Sequence, residues 1–446
     1  MVIFLKSKKL GLPTRNRVKS RNHYINYFYT MELKRVVVTG LGAVTPLGNN
    51  VPDFWQGLIA GKNGAGLITH FNTESYKTKF ACELKGFNIL DYMEEKIARK
   101  FDPCAHYAYA AGEEALRDAG IDIDIENRDR AGVIVASGIG GIQSAQDGIS
   151  EFAQSGENPR FSPFFILRAL VNMPPALLSI RLGLQGANYA LSSACASAAN
   201  AIVDAYHLIQ LGKADFMLCG GTEAAILESG IGGFNSMRAL STRNDDYLTA
   251  SRPLSAGRDG FVMGEGAGIL VLEELDHARA RGAKIYSEII GDGLSADAYH
   301  ITSPHPDGHG AAIAMQNAIS DAGLRPEDID YINMHATSTQ MGDRVECLAI
   351  EKVFGEHANN MYFSSTKSMT GHLLGACAAV ESIAVVLSLQ NGILPPTINF
   401  IEKDPEIPDW NFCANKAVRN DIRYALNNAF GFGGHNVSLL FKKFEN

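Results

Sequence analysis

Residues 195–212 read "CASAANAIVDAYHLIQLG", and residues 375–392 read "GACAAVESIAVVLSLQNG". Each opens on small residues, continues as an apolar stripe and stops at a glycine. Within the stripes, "AANAIVDAYHLI" and "AAVESIAVVLSL" carry one charge each. A helix that is apolar on nearly every side is buried on nearly every side. Two such helices need a shared interior. A sheet–helix–sheet sandwich with further helices outside gives them one.

A second pair of segments widens the pattern. "EEALRDAGID" at 113–122 resembles "QNAISDAGLR" at 316–325, and each precedes a strand-like run, "GVIVAS" and "IDYINMHA". The two pairs occur in the same order, which predicts a duplicated α/β unit with halves near 31–283 and 284–446. Other β-branched runs fit this scheme: "RVVVTGLG", "ADFMLCGG" and "AGILVLEEL" read as strands. "CAHYAYAAGEEALRDAG" reads as a helix stopped by Gly120.

Composition narrows the function. The chain has 446 residues, 46% hydrophobic and 20% charged, with a formal charge of −8. That balance speaks against a nucleic-acid partner. No uninterrupted apolar run reaches the ~18 residues of a membrane span, so no membrane role is expected. Residues 1–30 hold seven Lys or Arg and no Asp or Glu. This basic leader reads either as a transit segment or as a start placed too early, with Met31 opening "MELKRVVVTG". The second reading is preferred. A cytoplasmic location is then expected, and an organellar one only if residues 1–30 are a transit peptide.

The seven cysteines are irregularly spaced and form no CxxC pair. That argues against a disulfide framework and a structural zinc site, and no metal is expected. Most of the seven read as small buried residues. Cys195 stands apart, because an extended small-residue run ends there and a helix follows. A thiol at a helix start meets free N–H groups and the positive dipole end, which predicts a lowered pKa. Two histidines have comparable settings: His335 at a strand end in "INMHATSTQMGD", and His372 ahead of the second buried helix in "SSTKSMTGHLLGA". A thiol served by imidazoles makes a nucleophile. "NNAFGFGGHN" at 427–436 supplies a glycine turn whose N–H groups suit an oxyanion. His305 and His309 in "HPDGH" read as a surface loop. The glycine-rich stretches match neither a dinucleotide fingerprint nor a phosphate loop.

Taken together, "SSACASA", "NMHATSTQMGD", "STKSMTGHLLGA" and "AFGFGGHN" resemble the β-ketoacyl-[acyl-carrier-protein] synthases, most closely type II of fatty-acid elongation. "SRPLSAGRDGFVMGEGAG" and "SPFFILRALVNM" look like further family segments. The resemblance covers 31–446 and leaves 1–30 outside. It implies a thiolase-like fold, a five-layered αβαβα sandwich of two duplicated halves, working as a homodimer. It implies decarboxylative condensation of malonyl-carrier protein with an acyl chain held on Cys195. By the same resemblance His335 and His372 complete a Cys-His-His triad, with Lys367 beside it. The N–H groups of Cys195 and Phe432 form the oxyanion hole, and Phe430 shares the gating turn. Thr302, Thr337 and Thr339 contact the pantetheine arm or the malonyl group. Ile139 and Phe234 belong with the substrate-binding positions, Ile139 bounding an apolar tunnel in which each buried methylene is worth about 0.8 kcal/mol. Arg99, Lys100 and Arg238 match basic docking positions for an acidic carrier protein. No cofactor is implied, since the substrates ride on the carrier's phosphopantetheine.

The chain departs from the family pattern in places. Ala336 follows His335 where glycine is usual, Gln340-Met341 replaces a Pro-containing pair, Leu254-Ser255 replaces Phe-Asp, and His435 stands where Thr is common. Two other readings remain open on sequence alone. A thiolase would need a second catalytic cysteine, and Cys413, the last one, lacks a glycine motif. A polyketide-type ketosynthase or its silent partner subunit shares the fold, but the triad here is complete.

Overall fold

The computed structural model describes residues 32–156 and 158–445. The basic leader, 1–30, lies outside them. Residues 34–446 form one compact unit.

Ten strands share one mixed sheet. In chain order they are β1 (Val36–Val44), β2 (Ala131–Ala136), β3 (Asn188–Tyr189), β4 (Phe216–Glu223) and β5 (Gly266–Glu274), then β6 (Ser287–Ala296), β7 (Tyr331–Asn333), β8 (Tyr362–Ser364), β9 (Tyr424–Gly431) and β10 (His435–Lys443). The first five lie in the order β1-β5-β4-β2-β3, and the last five repeat it as β6-β10-β9-β7-β8. Orientation repeats as well. In each set the first two pairings are antiparallel and the next two parallel. The duplication seen in four helix-end segments is thus a duplication of topology. The two sets meet only along a three-residue ladder of β1 on β6, Val36 to Ile289 through Val38 to Ser287.

Four helices occupy matching places: α1 (Pro103–Ala119), α2 (Ser197–Gln210), α3 (His309–Asp321) and α4 (Cys377–Asn391). Asp102 caps α1 by accepting from the Cys104 N–H, and Gly120 ends it at φ +64°. Helix α1 packs on β1, β4 and β5, and α3 packs on β6, β9 and β10. Helices α2 and α4 touch each other and contact strands of both sets, which makes them the middle layer. Every residue of α4 from Cys377 to Leu389 is buried, Glu381 and two serines included. The stretch Leu374–Asn391 has the length and hydropathy of a membrane span, but it is 89% buried inside this fold. Strand and helix touch here because one residue has no side chain: a Cβ on Gly268 of β5 would sit 2.7 Å from the Val380 nitrogen of α4.

Candidate active site

The loops that precede α2 and α4 converge with the exit of β7 and the β9–β10 turn. Cys195 stands at the first of these loops, and its setting differs from the expected one. Helix α2 begins at Ser197, not at Cys195. The thiol lies in a tight turn upstream, where Ala194 adopts φ +51°. Ser197 ties that turn, donating from Oγ to the Ala194 carbonyl at 2.6 Å and accepting from the Ser193 N–H at 2.8 Å. A left-handed alanine is strained backbone, held only where its surroundings fix it.

The β9–β10 turn is part of those surroundings. A Cβ on Gly431 would lie 2.6 Å from the Ser193 carbonyl and 3.1 Å from the Cys195 nitrogen. Gly433 and Gly434 close the turn at φ +86° and +76°. The Phe432 N–H and the N–H of Cys195 itself both face the Cys195 sulfur. Gly431→Ala is therefore expected to push this hairpin off the nucleophile. A misplacement of that kind costs about 100-fold in rate. The check is the turnover rate in protein whose circular dichroism matches the wild type.

His372 Nε2 lies 3.0 Å from Cys195 Sγ. The His335 ring packs edge-on to His372 with centroids 5.5 Å apart. The Cys195 sulfur and one nitrogen of each ring lie within 4.8 Å of one another. Phe261 abuts His372, and Phe430 abuts His335. Phe234 in turn packs edge-on to Phe261.

Burial sets the charges. It pushes the Cys195 thiol up to about 12, against the opposing pull of Lys367 and the two amides. The expectation of a lowered thiol pKa is thus corrected: the resting group is a thiol. Burial, then the Lys367 charge, holds His372 well below the ordinary histidine value, and His335 likewise with His372 as a further neighbour. Both imidazoles are neutral. Lys367 is buried and ion-paired with the buried Glu381 of α4. Desolvation opposes its charge, but the neighbouring acidic groups outweigh that and hold the ammonium above the ordinary lysine value.

Carboxylates hold the loops in place. Glu346 accepts from the His335 and Ala336 N–H groups at 2.9 and 2.7 Å. Glu223 accepts from Gly138, Ile139 and Gly375 N–H groups and from the Ser137 hydroxyl. Ala336 has no left-handed angle, so the loss of glycine there costs no strain. Leu254 does, at φ +67°. Arg258, near the missing Phe-Asp carboxylate, pairs instead with Asp343 and Asp404.

A cavity of about 460 Å³ opens onto the sulfur. Of the residues named from sequence, Cys195, His335, His372, Phe430, Phe432, Phe234, Thr302, Thr337 and Thr339 line it. Thr337 and Thr339 hydroxyls lie 3.1 Å apart. Lys367 stands behind the wall. Ile139 does not line this cavity and is 40% exposed. Arg99, Lys100 and Arg238 lie outside the cavity too. Arg99 pairs with Glu95, Lys100 lies over the Phe164 ring, and Arg238 is exposed between two lining residues, Met237 and Ala239. Sequence reasoning missed Met341, Val345, Phe261 and Glu346 in the lining, and Cys377, Glu381 and Glu223 behind it. Glu381 and Glu223 gave a faint signal, each sitting inside a largely apolar run.

Comparison with known proteins follows the same lines. A model described as the beta-ketoacyl synthase N-terminal domain matches residues 33–278, and its C-terminal counterpart matches 286–401. The 3-oxoacyl-[acyl-carrier-protein] synthase 2 of Synechocystis sp. is 48% identical over 415 residues, 93% of this chain and 99% of that protein. The protein of the same name from Staphylococcus aureus strain COL is 49% identical over 412 residues, 92% and 99% of the two chains. Among solved structures, a type II PKS acyl-carrier protein in complex with its ketosynthase bound to the hexaketide matches with a TM-score of 0.86. It is 31% identical, with 93% of this chain and 100% of that one covered.

Proposed function

Because this chain belongs to the β-ketoacyl synthase family, we propose a residue-level course for its reaction, the decarboxylative condensation that lengthens an acyl chain by two carbons in fatty-acid synthesis. The enzyme is a condensing acyltransferase. The observation that carries the assignment of roles is the 3.0 Å contact of His372 Nε2 with Cys195 Sγ, with His335 facing the same cavity.

Cys195 Sγ attacks the thioester carbonyl of an acylated carrier protein, His372 Nε2 takes its proton, and the carbon–sulfur bond to the carrier's pantetheine breaks, releasing its thiolate. The oxyanion of the tetrahedral intermediate falls to the Cys195 and Phe432 N–H groups. The malonyl group then enters past Thr302, Thr337 and Thr339. Loss of carbon dioxide leaves an enolate, whose oxygen is held by ring N–H groups of His335 and His372. His335 donates from a neutral ring, and His372 donates the proton that it took from Cys195. The enolate carbon attacks the Cys195 thioester; the carbon–carbon bond forms and the carbon–sulfur bond breaks. Phe430 and Phe432 flank the turn through which the acyl chain passes.

Acyl-carrier protein is the partner, in keeping with the ketosynthase neighbour bound to one. Arg99, Lys100 and Arg238 serve as its docking positions. The reaction draws on no cofactor of its own, because both acyl groups arrive on the carrier's pantetheine. A homodimer is supported by the exposed edge strand β3 and by exposed Ile139, Phe161, Ile166 and Leu170. In such a dimer Ile139 would bound the acyl tunnel. Seven free, buried cysteines support a reducing, cytosol-like compartment.

The test is acyl trapping. Incubation with a long-chain acyl-carrier protein should give one acyl adduct, mapped by mass spectrometry to Cys195. Malonyl-carrier protein should then release carbon dioxide and yield the elongated 3-oxoacyl product. An adduct confined to another cysteine would overturn the assignment.

A further inference from the structure

The mechanism above leaves Cys377 without a task, yet this thiol touches the far side of the catalytic ring. His372 Nδ1 lies 3.4 Å from Cys377 Sγ, and Cys377 Sγ lies 3.5 Å from Glu381 Oε1. Glu381 in turn holds Lys367. All four groups are buried. On its other sides the ring meets Cys195 at Nε2 and the edges of Phe261 and His335.

Each thiol has one proton, so the direction of the chain can be worked out. The Cys195 sulfur already faces two N–H groups, and a bare Nε2 at 3.0 Å is the acceptor within hydrogen-bond reach of its own S–H. The ring proton is then on Nδ1 and points at the Cys377 sulfur. That sulfur also faces the Leu373 N–H, so it acts as an acceptor on both sides. Its S–H is left for Glu381, whose Oε2 has no partner and whose Oε1 is the nearest anionic acceptor. Every donor runs the same way, from Cys195 through His372 and Cys377 to Glu381.

We propose that Cys377 is a positioning residue that fixes the tautomer of His372 and relays its Nδ1 proton to Glu381. The inference rests on the condensation reading above. On acyl transfer, Nε2 takes the Cys195 proton, Nδ1 passes its proton to the Cys377 sulfur, and Cys377 passes its own to the Glu381 carboxylate. The carrier's pantetheine leaves as thiolate, so charge is conserved. The neutral ring now presents Nε2–H, the form that holds an enolate oxygen. When condensation frees the Cys195 thiolate, Nε2 returns the proton, and the two steps behind it run backwards. A raised Glu381 pKa, caused first by burial, suits a carboxylate that takes up a proton in one half of the cycle.

The experiment reads ring nitrogens directly. Histidine-labelled enzyme is followed by 15N resonance, free and with Cys195 acylated, the His372 signals being assigned by their loss in His372→Ala. The free wild type should show Nδ1 protonated and Nε2 bare, and the acyl-enzyme the reverse. In Cys377→Ala the reversal should be lost, and the condensation rate should fall about 10-fold or more with an unchanged KM for malonyl-carrier protein. Cys377→Ser, which keeps one donor and one acceptor, should restore both. The same tautomer in both wild-type states, or a reversal that persists in Cys377→Ala, overturns the relay. Failure of Cys195 to acylate at all would instead overturn the reading on which it rests.

Discussion

Replacing Cys195 with serine is expected to remove the acyl-enzyme and to lower condensation by about 1,000-fold or more. The reason lies in the base. His372 is neutral and held well below the ordinary histidine value, first by burial and then by the Lys367 charge. Such a ring can draw a proton from a thiol while the soft sulfur attacks. It has too little basicity to do the same for a hydroxyl, whose intrinsic acidity is far lower. The same fold should persist, because one atom changes in a turn secured by Ser197 and the Gly431 hairpin. Intact-mass measurement after incubation with acyl-carrier protein gives the readout. Cys377→Ser is the control, and it should acylate like the wild type. A Cys195→Ser protein that still accumulates acyl-enzyme on another thiol would show that the nucleophile lies elsewhere.

That prediction rests on residues that stood out in the sequence, and the reason is local. Cys195, His335 and His372 each lie where a strand or loop meets a helix, in runs of small residues that have few other uses. The duplicated topology was legible for the same reason: α1 and α3, and α2 and α4, end on matching segments. What the sequence concealed depends on chain segments far apart. The turn ahead of α2, which starts at Ser197, fits against Gly431, more than 200 residues away. The sign of the thiol shift follows from burial by the whole middle layer, which outweighs the helix-end argument that predicts a lowered value. Cys377 looked like one more small core residue, because nothing in "GACAAVES" places it against an imidazole. Ile139 shows the converse. A resemblance assigned it to the acyl tunnel, but in the single chain it lies outside the cavity and exposed.

Lys367→Met should destabilise the fold by about 3–5 kcal/mol, the usual cost of orphaning one member of a buried ion pair. Lys367 and Glu381 are 1% and 2% exposed, so water can take the place of neither partner. The loss should also depend on pH, with a definite sign. Burial already raises the Glu381 pKa above its ordinary 4.5, and Lys367 is the largest opposing influence. Without it the folded pKa rises further. The folded chain then keeps a proton that the unfolded chain has released, so stability falls as pH rises above that ordinary value and is greatest below it. The double variant Lys367→Met/Glu381→Leu removes both charges and should regain most of the denaturation midpoint, flattening the pH slope. Activity should not return with it, because the relay behind His372 would then have no terminal carboxylate. Recovery of stability without turnover separates the two tasks of this pair: it closes the core of α4, and it sets the electrostatic field in which the catalytic rings stay neutral. A single variant as stable as the wild type across the pH range would show that the pair does not close the core of α4.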